Sequence, residues 1–207
     1  MFPKKISFLM IFSLVTLLFP GLILAEYSGL SGFPELAFIK RNAFDPNHYY
    51  TEFINSSWKP GGGIFILNLE DRSERELFPQ MSGGVFGRFD ISFDAKRIVF
   101  SYKKSAGEGF RIYSANIDGT NLRQLTFPEP GEAETAKKFK RGKYHNGTDD
   151  MDPCWLPDGG IAFVSTRPRY GVLCDPSDDL VVATMYRMEA DGSVMKRLSY
   201  GALSENS

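Results

Sequence analysis

Two cysteines and two histidines in 207 residues leave little room for several kinds of chemistry. Cys154 and Cys174 stand 20 apart, with no Cys-x-x-Cys and no Cys-x-x-Cys-His. Neither a zinc ribbon nor a covalently attached haem has its ligands in such a pattern. No Gly-x-Ser-x-Gly elbow, no phosphate-cradling Gly-x-x-x-x-Gly-Lys loop and no His-Glu-x-x-His pair occurs. A surplus of either charge is missing too, with 24 Lys and Arg against 25 Asp and Glu. Without a basic field, neither nucleic acid nor an anionic membrane surface is an expected partner.

The long apolar run that the mature chain lacks is present at the front. Lys4 and Lys5 precede an uninterrupted apolar or hydroxyl stretch from Ile6 to Phe19, broken by Pro20-Gly21 and followed by Ile23-Leu24-Ala25. Residues 1–25 therefore read as a cleavable export signal. The alternative is an uncleaved anchor, since Ile6 to Leu24 is 19 residues and near spanning length. Cleavage would leave 22 basic against 25 acidic residues and no membrane span. The expected location is the periplasm or an equivalent compartment. An oxidising compartment makes Cys154–Cys174 a candidate disulfide, with two independent buried thiols as the alternative.

What the chain has in abundance is short β runs between turn residues. Glycine (20), proline (12) and 14% aromatic residues suit a loop-rich all-β protein. From Phe89 onward four strands are expected: Ile91–Phe93, Arg97–Tyr102, Phe110–Ile117 and Leu122–Phe127, with a hairpin turn at Asp118-Gly119. The pattern recurs. Arg111 to Phe127 matches Thr184 to Tyr200 at a constant offset of 73, placing Tyr113 on Tyr186, Asp118-Gly119 on Asp191-Gly192 and Leu125 on Leu198. A fainter copy, Ile64 to Phe78, lies 48 positions before Ile112 to Thr126. Four-strand units repeating at this period predict β-propeller blades. The expected fold is an all-β partial propeller of two to three four-stranded blades, its ring not closed. Residues 1–25 are the signal, 26–63 a lead-in with a candidate strand at Leu36–Arg41, and 64–207 the propeller. Trp58 to Gly63 and Ser82 to Arg88 read as glycine-rich turns. His48, with no acidic cluster beside it, reads as a surface or packed histidine.

Two insertions mark the second full blade. The first, Pro128 to Met151, carries a candidate helical turn at Glu132 to Lys143 and a basic run, Lys137 to Arg141, expected to be solvated. The second is Arg167 to Asp179. The densest constellation, Tyr144-His145-Asn146-Gly147-Thr148-Asp149-Asp150-Met151-Asp152-Pro153-Cys154, closes the first insertion. His145, Asp149, Asp150 and Asp152 form a candidate site for a hard cation such as Ca²⁺. The competing reading is that these aspartates cap turns and tie blades together through backbone hydrogen bonds. Crowded carboxylates need positive partners, and Arg167, Arg169 and Lys143 are at hand.

The Pro-Asp-Gly turn at Leu156 to Gly159, the strand ending at Ser165 and the Tyr186 to Leu198 pattern resemble TolB-like (PD40, WD40-like) propeller repeats. The segments Gly87 to Asp94, Tyr144 to Cys154, Phe163 to Arg167 and Tyr186 to Met188 resemble hydrazine synthase alpha-subunit-related proteins of planctomycetes, as does the closing Gly201 to Ser207. That resemblance implies a propeller neighbouring a domain with c-type haems. With no haem motif present, no catalytic residue carries over, and no cofactor is expected within this segment. It implies further that other subunits or domains of an exported redox complex are the partners. Ala202 to Ser207 looks like the start of another blade, so the chain is expected to be an N-terminal fragment of a larger protein. A TolB-like protein- or peptide-binding module, and a cation-dependent hydrolase or lyase, are the alternative functions.

Overall fold

The computed structural model describes residues 33–42, 58–134, 147–169 and 182–200. Eleven strands among them form three open antiparallel sheets. Strands β1 (Glu35–Arg41), β2 (Gly62–Asn68) and β3 (Glu74–Glu76) make the first sheet, in that order. The second is β4 (Val85–Ile91), β5 (Arg97–Lys103), β6 (Arg111–Asn116) and β7 (Arg123–Gln124). The third is β8 (Asp150–Trp155), β9 (Ile161–Ser165), β10 (Thr184–Met188) and β11 (Lys196–Arg197). The last two are four-stranded up-and-down blades, and the protein is a partial β-propeller.

Contacts divide the chain into a smaller unit, Met1–Ala37 with Ile66–Glu74, and a larger one, Phe38–Phe65 with Arg75–Ser207. In the smaller unit a tight turn follows β2. Asn68 donates its N–H to the Ser73 carbonyl at 2.9 Å, and its side-chain oxygen accepts from the Glu70 N–H at 2.8 Å. The larger unit holds both blades and everything considered below.

The expected repeat is visible bond for bond. Tyr113 pairs with Phe100 on one side and Gln124 on the other, and Tyr186 pairs with Phe163 and Arg197. The rings stack alike, at 5.8 Å for Phe100–Tyr113 and 5.6 Å for Phe163–Tyr186. Leu125 N–H donates to the Ile112 carbonyl at 2.8 Å, as Leu198 does to Met185 at 2.8 Å and Leu77 to Ile64 at 2.9 Å. The offsets of 73 and 48 are both honoured. Each Asp-Gly hairpin also abuts the preceding repeat. A Cβ on Gly119 would sit 2.8 Å from the Leu77 carbonyl oxygen, and one on Gly192 2.7 Å from that of Leu125. Both glycines have positive φ, 89° and 87°. Backbone conformation and close approach therefore select glycine together.

Two glycine-rich stretches depart from expectation. The inner strand of the first full blade is Val85–Ile91, a stretch that reads as a glycine-rich turn, and not Ile91–Phe93. Within that strand, position 87 is glycine because a Cβ there would meet the Ser101 hydroxyl oxygen at 2.2 Å. A register shift between Phe86 and Phe89 adds a bulge at the same place. Glycine in a strand marks such close approaches and bulges as often as it marks turns. Gly62 and Gly63 likewise open β2 rather than preceding it. The strand expected at Leu36–Arg41 is β1, one residue longer.

The blades share one core. Val99, Ile112 and Leu125 of the first pack with Trp155, Ile161, Phe163 and Met188 of the second. Val85, Phe110 and Met151 form a smaller cluster. No helix among the described residues is long and apolar enough to cross a membrane.

Candidate functional site

The constellation from Thr148 to Cys154 enters the second blade as β8 and runs beside β4. Its first carboxylate crosses to the first blade. Asp149 Oδ1 accepts the Phe110 N–H at 2.8 Å, while the Asp150 N–H donates to the Phe110 carbonyl at 2.9 Å. Both polar groups of Phe110, at the threshold of β6, are thus satisfied by the neighbouring blade. The Asp149 N–H donates to Thr166 Oγ1 at 2.8 Å, and the Thr166 N–H returns to the Asp149 carbonyl at 3.0 Å. Burial pushes the Asp149 carboxyl up to about 6, against the opposing pull of Lys103 and of the Phe110 N–H. Lys103 is itself buried, and burial lowers its pKa, partly offset by Asp149.

Asp150 is fully buried and tied to Arg167. Arg167 Nε reaches Asp150 Oδ1 at 2.9 Å and Nη2 reaches Oδ2 at 2.6 Å, the bidentate fork geometry. Ser165 Oγ donates to Asp150 Oδ1 at 2.7 Å, and Arg167 Nη2 donates to the Phe127 carbonyl at 2.8 Å. Glu129 lies 3.7 Å from the same guanidinium. Asp152, at the β8 bulge, has φ +49° and lies 3.7 Å from Arg88 Nε of β4. The Trp155 N–H completes the seam by donating to Asp90 Oδ2 at 2.8 Å.

Three residues of this network carry no motif in the sequence. Arg111 Nη2 meets Glu132 Oε1 at 2.7 Å, with both side chains buried. Arg111 Nη1 donates to the carbonyls of Phe110 and Thr148. Thr148 donates its hydroxyl to Glu132 Oε2 at 2.6 Å. Burial works against ionisation of Glu132, but the Thr148 hydroxyl, then Arg111, outweigh it and hold the carboxyl low. Lys103 is the third. The available hint was Arg111 itself, a charge opening a strand where the other repeat has Thr184.

Of the expected cation ligands, Asp149 and Asp150 are neighbours on β8's threshold, but each is engaged by a different protein donor. No group of three potential ligands forms among the described residues. His145 lies outside them, as do Lys143, Cys174, Asp175, Asp178 and Asp179. Cys154 is exposed on β8, and burial, then the Asp90 charge, push its thiol pKa up. The His48 segment, the basic run 137–141 and most of both insertions also fall outside the described residues.

No family model matches the chain, and no curated protein does. Solved structures do. TolB from Acinetobacter baumannii superposes with a TM-score of 0.46 at 16% identity, over 81% of this chain and 30% of that one. Oligogalacturonate lyase in complex with manganese gives 0.46 at 14%, over 80% and 38%. Kuenenia stuttgartiensis hydrazine synthase gives 0.37 at 14%, over 84% and 33%. The chain spans well under two thirds of each of these.

Proposed function

We propose that this chain is the exported propeller portion of a larger assembly and that it works as a protein-docking scaffold. One observation carries the reading. Leu198 and Met185 of the second blade are 45% and 50% exposed, whereas their repeat equivalents, Leu125 and Ile112, are 5% and 0% exposed beneath a neighbouring blade. Such apolar positions are built to be covered. Asp149 and Asp150 are engaged at the joint between the blades.

The partner we assign is a haem-bearing domain or subunit of an exported redox complex. Its support is the sequence resemblance carried by Gly87 to Asp94 and Tyr144 to Cys154. A photo-crosslinking residue at Met185 tests the docking face. The expected result is one adduct of defined mass, abolished by Leu198→Glu. Equal yield from a crosslinker at exposed Asp118 would sink it. Haem absorbance in the adduct is expected for the redox partner, and its absence leaves docking without that partner. Export is checked separately, by N-terminal sequencing of the mature form, expected to begin at Glu26.

The second reading is a TolB-like peptide-binding module, favoured by the matched repeat geometry of the two blades. An adduct whose crosslinked fragment is a flexible peptide, not a folded domain, would select it. A cation-dependent hydrolase or lyase would need Ca²⁺ or Mn²⁺ beside Asp149 and Asp150. Calorimetric titration with either ion tests that, and no heat is expected.

A further inference from the structure

Away from the docking face and the Asp150 network, the two hairpin turns at the other end of the blades enclose a cleft of about 150 Å³. Ser92, Phe93, Asp94 and Arg97 of the β4–β5 turn form one wall. Trp155, Leu156, Pro157 and Gly159 of the β8–β9 turn form the other. A volume of this order admits a group about the size of benzene.

Both walls are held rigidly. On the first, the Ser92 hydroxyl donates to Asp94 Oδ1 at 2.6 Å and accepts the Arg97 N–H at 2.9 Å, while the Ala95 N–H reaches the Ser92 carbonyl at 2.7 Å. On the second, the Gly159 N–H donates to the Leu156 carbonyl at 2.9 Å and the Gly160 N–H to Asp158 Oδ1 at 2.9 Å. A cleft between two tied hairpins loses little entropy when it is filled.

Its polar content is unbalanced. The Arg97 guanidinium lies over the Trp155 ring, 4.3 Å from the centroid. The stack fixes the cation, and among the described residues its edge donors are uncommitted, since a ring face accepts no in-plane N–H. Among the described residues no carboxylate forms an ion pair with it, and Asp94 senses it only as a charge through space. Asp94 already accepts the Ser92 hydroxyl and the Lys96 N–H. With Lys96 beside Asp94, the turn carries one net positive charge. The buried indole N–H of Trp155 has no acceptor among the described residues. Phe93, at the mouth, is 76% exposed.

We propose that this cleft binds a carboxylate carried on a short apolar or aromatic stem, with Arg97 as the anion anchor and Phe93 against the stem. An Arg fork pairs with a carboxylate through two parallel hydrogen bonds, and partial shielding by Trp155 strengthens them. A peptide C-terminus and an acidic side chain both present this group. The site is independent of the docking face, so either can fail alone.

The chain has two tryptophans, so its ¹H–¹⁵N spectrum holds two indole N–H signals, assigned by Trp58→Phe. Three probes are titrated into the full chain. These are a pentapeptide ending in Phe with a free carboxylate, its C-terminal amide, and an amidated peptide with an internal Glu. The expected result is a saturable shift of the Trp155 indole signal by at least one carboxylate-bearing probe. The Trp58 signal stays fixed, and the amide binds at least tenfold more weakly. Response to the first probe alone assigns a chain terminus, and response to the third an acidic side chain. Arg97→Gln should weaken binding tenfold or more, and Phe93→Ala several-fold. Because Arg97 also braces Trp155, Phe93→Ala and the acid–amide comparison stand should Arg97→Gln fail to fold. Equal affinity for acid and amide, or no saturable shift with any probe, overturns the proposal.

Discussion

The two blades are built from the same hairpin and live in different surroundings. In both, the third strand carries a tyrosine stacked on a phenylalanine of the second strand. The N–H of the residue just before that tyrosine is closed by a hydroxyl in each case: Ile112 N–H donates to Thr126 Oγ1 and Met185 N–H to Ser199 Oγ, both at 2.9 Å. Both hairpins close through an aspartate that accepts a backbone N–H at 2.9 Å, from Thr120 to Asp118 and from Ser193 to Asp191. The first blade is nevertheless buried along β5 from Ile98 to Lys103, whereas β9 alternates between buried and half-buried. Local sequence makes the blade, and neighbours decide how much of it is core. The third strand of the first blade also opens on a buried ion pair, Arg111 with Glu132, where the second blade has Thr184.

The largest test of this difference is Arg111→Ala against Thr184→Ala. Stranding Glu132 without its partner should cost about 3–5 kcal/mol. Thr184 loses only a 3.4 Å hydroxyl contact to the Ser165 carbonyl, so its cost should stay below about 1 kcal/mol. Urea midpoints measure both, and equal costs would erase the distinction. Next comes the leucine pair. Leu125→Ala should cost about 2–4 kcal/mol as a core truncation. Leu198→Ala should cost less than about 1 kcal/mol, because its site is half open to solvent.

The joint between the blades gives a pH signature. Asp149 holds its proton up to about 6 in the folded state, above the ordinary value of 3.8. A raised carboxyl pKa favours folding while the group is protonated, so its contribution is full below about pH 4 and is lost as pH rises to about 6. The loss is at most about 3 kcal/mol, at about 1.36 kcal/mol per unit. In Asp149→Asn this slope should vanish between pH 4 and 6, with the stability difference from the parent flat above about pH 7. An unchanged slope would move the proton elsewhere. The smallest effect belongs to Arg187, whose pairs with Asp158 and Glu189 are partly solvent-exposed. Arg187→Ala should leave the urea midpoint unmoved.

Much of the fold was legible because a blade advertises itself locally. The third-strand tyrosines, the Asp-Gly turns and the leucines after the hairpin recur at a constant offset of 73. The inner strand was misread because Gly87 answers to Ser101 on the adjacent strand, a contact invisible along the chain. The candidate site was half legible. Asp149 and Asp150 stood out as a cluster, and Arg167 as a counter-charge. That Asp149 serves Phe110, 39 residues away, and that Arg111 finds Glu132 is decided by blade packing.

Sequence alone determined that this chain folds as repeated four-stranded hairpin units, since turn chemistry and period-two alternation act over a few residues. Tertiary structure alone decided which carboxylates became braces and which leucines became core. Burial and charge pairing depend on what stands across the gap between blades, and no local pattern encodes that.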